Sequence, residues 1–411
     1  MLTSFTDYIA EQHLFSMRDE VLLAVSGGRD SVAMAALMQA AGCRFAIAHC
    51  NFRLRGADSD RDQRFVASLA ASLGVPFHVA SFDTRAEARA ASESIEEAAR
   101  RLRYAFFASL CAEHGYPCVA TAHHRDDSIE TFFLNLFRGT GIGGLHGIRP
   151  VAELETGTGT LRVVRPMLCF SRAEIDRYVS QHRLEYVEDS TNGELDARRN
   201  RIRLRLMPLL RELYPSVDAT MQANMDRLAD AGIVFRDHVD ALRARLVHKY
   251  ESPLPSLPVP IEAIAVDAIR NLNPARTLLF ELLRPYGFNA AVVDDIVRSA
   301  ALPEGTPVSG RLFYSPTHVA ELHRGSLLVA ARVSPPAADG GPMVRPWRPG
   351  DRFRPKGMKG TRLVSDFLKD LHLSRIERQY VTVRVDADGR IVSVVGLRDA
   401  SLHAPQATDA D

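Results

Sequence analysis

From residue 21 onward, short apolar runs alternate with longer stretches in which apolar positions recur every three or four residues. The runs at 21–25, 45–49, 76–81, 118–122 and 161–165 have the length of strands buried on both faces. The stretches near 31–41, 60–73, 94–114, 126–138 and 171–182 carry a helical period. This alternation predicts a doubly wound parallel sheet covered by helices. Ligands meet such sheets at the carboxyl ends of strands. Ser26, His49 and His123 stand at three of those ends.

After about residue 216 the pattern changes. Residues 217–250 read as one long helix bearing Met221, Met225, Leu228, Ile233 and Val234. Ser252–Pro260 holds four prolines, which exclude helix and sheet interior and make a stiff connector. Residues 261–300 read as helical and 306–331 as short strands. A second linker, Ser334–Pro342, precedes a compact module. That module ends in a hairpin, Val381–Val385 and Arg390–Val395, around Asp386-Ala-Asp-Gly389. The expected domains are an α/β domain at 1–216, a mainly helical domain at 217–333 and a small α+β module at 343–403.

Composition adds little to this picture. With 46% hydrophobic and 25% charged residues, the 411-residue chain has the make-up of a soluble globular protein. A net charge of +1 means that a nucleic-acid partner must be met by local basic patches. The five cysteines (Cys43, Cys50, Cys111, Cys118 and Cys169) have no CxxC or metal-ligand spacing and read as reduced thiols. No apolar run approaches ~18 residues. Asp7, Glu11, Asp19 and Glu20 replace the basic region of an export signal, so a cytoplasmic location is expected.

The chemistry begins at Ser26-Gly-Gly-Arg-Asp-Ser31, between a buried strand and a helix. Small residues there expose backbone N–H groups at a positive helix end, a setting for phosphate. Asp30 would repel phosphate unless a cation intervenes, so it implies Mg²⁺; its alternative use is as a helix N-cap. In Ala120–Thr131, a helix starting near residue 123 would place His123, Asp127 and Glu130 on one face. His124 would point elsewhere. Arg103, within Arg100–Tyr104, could reach phosphate or be a solvated helix charge. Residues 198–212 carry six arginines against one glutamate. Among them Arg198, Arg201, Arg203 and Arg205 suit RNA phosphates. Residues 345–369 carry eight Lys/Arg and two Asp, with Trp347 and Phe353 interleaved. Arg352 and Lys356 are candidate RNA contacts there, and Trp347 is either a stacking residue or the module's core.

Taken together, these segments resemble the tRNA(Ile)-lysidine synthetases, a family of pyrophosphate-loop ATP pyrophosphatases. The shared pieces are Ser26–Ser31, His49–Gly56, Arg100–Tyr104, His123–Thr131, Leu134–Gly144, Arg165–Leu168 and Asp189–Arg203. Arg348–Phe353 and Val394–Leu397 resemble the family's long form. The resemblance implies an adenine nucleotide alpha hydrolase-like fold and a two-step reaction. ATP adenylates C2 of the wobble cytidine of a CAU-anticodon tRNA(Ile), and free L-lysine then displaces AMP. It implies activity residues at Asp30, Arg103, His123, Asp127, Glu130 and Arg199. Asp30 would bind Mg²⁺, His123 and Arg103 would steady phosphates, Asp127 and Glu130 would orient or deprotonate lysine, and Arg199 would contact the activated nucleotide. It places Ser26, Gly27, Gly28, Arg29, Asp30, Ser31, His49, Asn51, Gly139 and Gly141 at ATP, and the family's tendency to dimerise suggests a homodimer. Two departures stand out: no proline near Tyr380–Val383 and no aromatic near Ser393. The rival readings are a tRNA thiolase, which usually needs cysteines this sheet lacks, and a nucleotide- or RNA-binding protein without catalysis.

Overall fold

Val21, Leu22 and Leu23 have no solvent exposure, each buried side chain being worth about 1.5–3 kcal/mol. They form an interior strand of a six-stranded sheet in the computed structural model. The structure describes residues 1–157, 159–187, 197–254, 257–303, 309–333, 343–358 and 360–400. Asp189–Asn192 and the linker Ser334–Pro342 lie outside the described residues. The chain divides into two compact units, 1–233 and 234–411.

The first unit opens with α1 (Leu2–Glu11), β1 (Glu20–Ala24), α2 (Arg29–Ala40), β2 (Arg44–Asn51), α3 (Ala57–Leu73) and β3 (Phe77–Ser81). Next come α4 (Thr84–Ala91), α5 (Ile95–His114), β4 (Val119–Ala120), α6 (Arg125–Arg138), β5 (Val151–Thr156), β6 (Gly159–Val164) and α7 (Arg172–Gln181). Strand order is β3-β2-β1-β4-β6-β5. The chain winds outward through β2 and β3, then returns to the other side of β1 to place β4. That reversal opens a crevice at the carboxyl ends of β1 and β4. Five strands are parallel, as expected, and β5 is an antiparallel edge. Val151-Ala-Glu-Leu-Glu-Thr156 escaped the sequence reading because its charged alternate positions mark a half-exposed edge, not a doubly buried run.

Two capping boxes explain where helices begin: Ser94 with Glu97 starts α5, and Ser171 with Glu174 starts α7. Beyond α7, α8 (Ala197–Arg201), a π-helical turn (Ile202–Leu206) and α9 (Met207–Leu213) run on continuously. Pro208 has no N–H to return to a carbonyl one turn back, which accounts for irregular helix here. Ile202, Met207 and Met225 bury this segment against Ile129 and Leu134 of α6. Met225 belongs to α10 (Val217–Leu246), whose residues from Val234 belong to the second unit.

The second unit continues with β7 (His248–Lys249), β8 (Ile261–Ala265), α11 (Val266–Arg270), α12 (Ala275–Leu283), α13 (Ala290–Ala300), β9 (Arg311–Tyr314), β10 (His318–His323) and β11 (Ser326–Ala331). The five strands make one sheet in the order β7-β8-β11-β10-β9. Leu279, Leu282, Leu283, Ile296 and Leu327 form its core with the helices. Residues 261–265, expected as helix, are a strand. Ile261 and Ile264 suit either period, and pairing with β11 decides the outcome. The chain ends in β12 (Val344–Pro346), β13 (Arg352–Phe353), β14 (Arg362–Leu363), α14 (Val364–Asp370), α15 (Arg375–Arg378), β15 (Thr382–Val385), β16 (Ile391–Val394) and β17 (Arg398–Asp399). The expected hairpin is β15–β16. Trp347, half-buried, packs against the core cluster that includes Phe353, Val364 and Leu368, and its indole N–H donates to the Arg378 carbonyl at 2.7 Å. It belongs to the core, so the interleaved aromatics are not a stacking surface. The proline-rich connector is docked too, since Leu254 joins that core.

Candidate active site

A cavity of about 520 Å³ lies at the crevice between β1 and β4. Its floor is the turn after β1. Gly27 takes φ +93°, and its carbonyl accepts a bond from the Val187 N–H at 2.9 Å. A Cβ there would meet Val66 at 3.3 Å and Phe65 at 3.4 Å, so backbone conformation and space both require glycine. The Ser31 hydroxyl donates to the Gly28 carbonyl at 2.8 Å and lies 3.3 Å from the Ser26 hydroxyl. Gly28 begins α2 without a side-chain cap. The Gly28 N–H donates to the Ser26 hydroxyl at 3.3 Å, whereas those of Arg29, Asp30 and Ser31 have neither an intrahelical nor a side-chain cap, and they lie beside the cavity lined by Ser26, Gly28, Arg29, Asp30 and Ser31.

Asp30 is the anionic corner of this floor. Its Oδ2 accepts from Arg172 at 3.0 Å, and Nε2 of buried His124 lies 3.9 Å away. Its Oδ1 is buried with no hydrogen-bond partner. Burial raises its pKa, against the opposing pull of His124 and Arg172. An orphaned carboxylate oxygen beside uncapped N–H groups fits one ligand position of a Mg²⁺ shared with phosphate. Among the described residues no group of three or more His, Cys, Asp or Glu side chains could hold a metal unaided. A cation here would thus depend on its phosphate ligand. Arg29 is held at the rim, 2.5 Å from Asp176 and over the Tyr186 ring at 4.9 Å.

The opposite wall carries His123, Asp127 and Arg103. The helix starts at Arg125 with His124 as its N-cap, two residues later than expected. His123 therefore projects from the strand end and not from the helix. Its Nδ1 lies 2.9 Å from the Thr121 hydroxyl. Burial lowers its pKa, reinforced by Arg165, Arg199 and Arg103 and opposed by Asp127, so the ring is neutral at physiological pH. It can donate or accept a hydrogen bond but brings no positive charge. For Asp127, burial pushes the carboxyl up, yet His124, His123 and the His124 N–H (3.1 Å) outweigh it and hold the group below its ordinary value. The Arg103 guanidinium lies over the Phe52 ring at 5.2 Å.

Glu130 does not open onto this cavity. It is buried against the arginine-rich helix, accepting from Arg203 Nε at 2.6 Å and Arg203 Nη2 at 3.0 Å, with the Arg199 guanidinium ion-paired to it at 3.0 Å. Arg199 also donates to the Thr131 hydroxyl at 2.9 Å. The cationic stripe thus has two faces. Arg199 and Arg203 turn inward, while Arg198, Arg201 and Arg205 are exposed. Arg203, expected among the RNA contacts, is committed to Glu130 and to Asp127 Oδ1 at 3.4 Å.

His49, Asn51, Gly139 and Gly141, expected at ATP, are not among the residues that line this cavity. His49 is buried and donates from Nδ1 to the Val25 carbonyl at 2.9 Å, bracing the strand that carries the loop. The Asn51 amide is consumed by Asp60 at 3.0 Å and Gln63 at 2.9 Å. Gly139 and Gly141 follow the far end of α6, a 14-residue helix roughly 21 Å long. Arg352 and Lys356 are exposed in the second unit. Sequence reasoning missed Arg172 and the burial of His124 among Asp30, Asp126 and Asp127. The Ser171–Glu174 capping box was the available signal for Arg172, because it puts that residue in a helix's first turn beyond a strand end.

A family model described as a PP-loop domain matches residues 2–210. Models described as the TilS substrate binding domain and the TilS substrate C-terminal domain match residues 261–332 and 343–410. A tRNA(Ile)-lysidine synthase of Bacteroides thetaiotaomicron is 37% identical, over 91% of this chain and 90% of its own. That of Parabacteroides distasonis is 35% identical over 97% and 95%. That of Geobacter sulfurreducens is 32% identical over 95% and 91%. Among solved structures, the U34-tRNA thiolase NcsA of Methanococcus maripaludis is 14% identical with a TM-score of 0.45, over 56% of this chain and 78% of that one.

Proposed function

The chain belongs to the tRNA(Ile)-lysidine synthase family, and from that premise we propose that it converts the wobble cytidine of a CAU-anticodon tRNA(Ile) to lysidine with ATP and free L-lysine. The observation that carries this reading is the single cavity joining an uncapped helix N-terminus, Asp30, His123 and Asp127. In the first step the C2 carbonyl oxygen attacks the α-phosphorus of ATP. A C2–O–P linkage forms and pyrophosphate leaves. The N–H groups of residues 29–31 and the Arg103 guanidinium hold the phosphates where negative charge develops. Mg²⁺ bound at Asp30 Oδ1 would offset phosphate charge. His123, being neutral, orients a phosphate or base atom by a hydrogen bond.

In the second step the lysine ε-amine, as the free base, attacks C2, and the C2–O bond breaks to release AMP. Asp127 is the cavity-lining carboxylate on the wall opposite Asp30, so it is assigned to hold the lysine amine and to receive the proton its nitrogen loses once the C2–N bond has formed. Glu130, occupied by two arginines, is a positioning residue for the helix that carries Arg199. Arg198, Arg201 and Arg205 offer exposed charge to the RNA backbone.

The thiolase alternative draws no support from the cysteines. Burial pushes the thiols of Cys50 and Cys118 up to about 12 and that of Cys111 up to about 11, the wrong direction for sulfur chemistry. The test is AMP and pyrophosphate release from labelled ATP. With tRNA(Ile) present and lysine absent, pyrophosphate should leave while AMP stays on the RNA; lysine should then free it. AMP release independent of tRNA would defeat the proposal.

A further inference from the structure

The second unit has two adjoining cavities that the chemistry above leaves unused, both lined in part by Arg375. The larger, about 450 Å³, is ringed by Arg324, Lys369, His372, Arg375 and Arg378. The one carboxylate among its described lining residues, Glu321, is 1% exposed. It is already consumed by the N–H groups of Arg375 at 3.0 Å and Ile376 at 2.9 Å. The ring is therefore strongly cationic toward solvent. Arg324 (φ 46°) and His372 (φ 57°) both take the left-handed backbone region that side chains rarely adopt. They belong to two different turns joined by one bond, His323 Nε2 donating to the His372 carbonyl at 2.9 Å. Arg324 begins the two-residue turn between β10 and β11, and His372 follows the end of α14, so both side chains are fixed in place beside the hollow.

The smaller cavity, about 330 Å³, is of another kind. Tyr314 is 55% exposed on its wall, with the Arg332 guanidinium 5.7 Å from the ring centroid, and Gln379 also lines it. An exposed aromatic ring backed by a guanidinium is a platform for a flat π-system, and a glutamine amide can read its edge. Room for one ring system, with cations beyond Arg375, matches a nucleobase and its flanking phosphates. A duplex keeps its bases stacked on one another and cannot offer one to Tyr314.

We propose that this groove binds an unpaired ribonucleotide of the RNA substrate, its base on Tyr314 and its phosphodiesters at Arg375, Arg324 and Lys369. The proposal rests on the RNA-modifying reading above. The test uses the full chain and fluorescence anisotropy with three probes: tRNA(Ile), a short single-stranded RNA and a blunt duplex RNA of equal charge. Tyr314→Ala should weaken the single strand by roughly 5- to 150-fold. It should leave the duplex unchanged, and Tyr314→Phe should restore binding. Arg324→Ala with Lys369→Ala should lower the slope of log affinity against log salt by ~1.4, two phosphates' worth. Equal losses for single strand and duplex, or no loss with Tyr314→Ala, would overturn the proposal. Tight tRNA binding with no single-strand binding would overturn it while sparing the broader reading. Failure to bind tRNA at all would count against both.

Discussion

Replacing Glu130 by Gln separates two roles that a loss of activity alone would confound. Glu130 is 2% exposed, accepts two N–H bonds from the Arg203 guanidinium at 2.6 and 3.0 Å, and is ion-paired with Arg199 at 3.0 Å. A hydrogen bond to a charged group contributes about 1.5–3 kcal/mol. Glutamine keeps one acceptor oxygen but turns an N–H₂ toward a guanidinium. Both arginines are about a third exposed and recover some hydration when released. The expected net cost is therefore about 2–4 kcal/mol, a large share of a domain's usual stability of about 5–15 kcal/mol. The chain has a single tryptophan, Trp347, in the core of the second unit. Urea unfolding followed at once by far-UV circular dichroism and tryptophan fluorescence should show the variant's dichroism midpoint lowered and its fluorescence midpoint unchanged. Lysine incorporation should fall in proportion to the native first unit that remains. Abolished incorporation with an unshifted dichroism transition would refute a positioning role and make Glu130 a direct partner of lysine.

Asp30→Asn should abolish the Mg²⁺ dependence of ATP binding, so that affinities measured calorimetrically with and without the cation converge; a preserved dependence would place the ion elsewhere. Gly27→Ala forces a left-handed backbone on alanine and a contact with Val66, and should cost at least ~1–2 kcal/mol in denaturant unfolding. Because burial lowers the His123 pKa, the unfolded chain takes up this proton first as pH falls below the ordinary value of 6.5. Stability of the first unit should therefore decline on acidification from there, and His123→Asn should flatten the decline. Unfolding midpoints measured from about pH 7.5 to 5 check this, an unchanged slope arguing that His123 is not held neutral.

The central strands and their helices were legible because doubly buried runs and 3.6-residue periods are strong signals. The loop after β1 was legible for the same reason: its strand and helix could be recognised on either side. The edge strand β5 and the strand 261–265 were not, since partner strands decide both. At the site, Ser26, Gly28–Ser31, Arg103, His123 and Asp127 line one cavity, whereas Glu130 faces another helix. Glu130 is met there by Arg203 and Arg199, a tertiary partner that spacing along α6 could not show. The division of the arginines was closer to readable. Arg199 and Arg203 continue the stripe of Ile202, Leu206 and Leu210, which marks the inward face, and Arg198, Arg201 and Arg205 lie off it. His49 and Asn51, polar residues at a strand's carboxyl end, make hydrogen bonds to Val25, Asp60 and Gln63 that spacing alone does not show.

The most direct measurement is incorporation of radiolabelled lysine by the purified full-length chain with Mg-ATP and a panel of tRNAs. Label on CAU-anticodon tRNA(Ile), lost when the wobble cytidine is replaced by uridine and lost again with Asp127→Asn, is the expected result. Label on tRNAs lacking that cytidine, or none on tRNA(Ile) while another substrate drives ATP–pyrophosphate exchange, would contradict it.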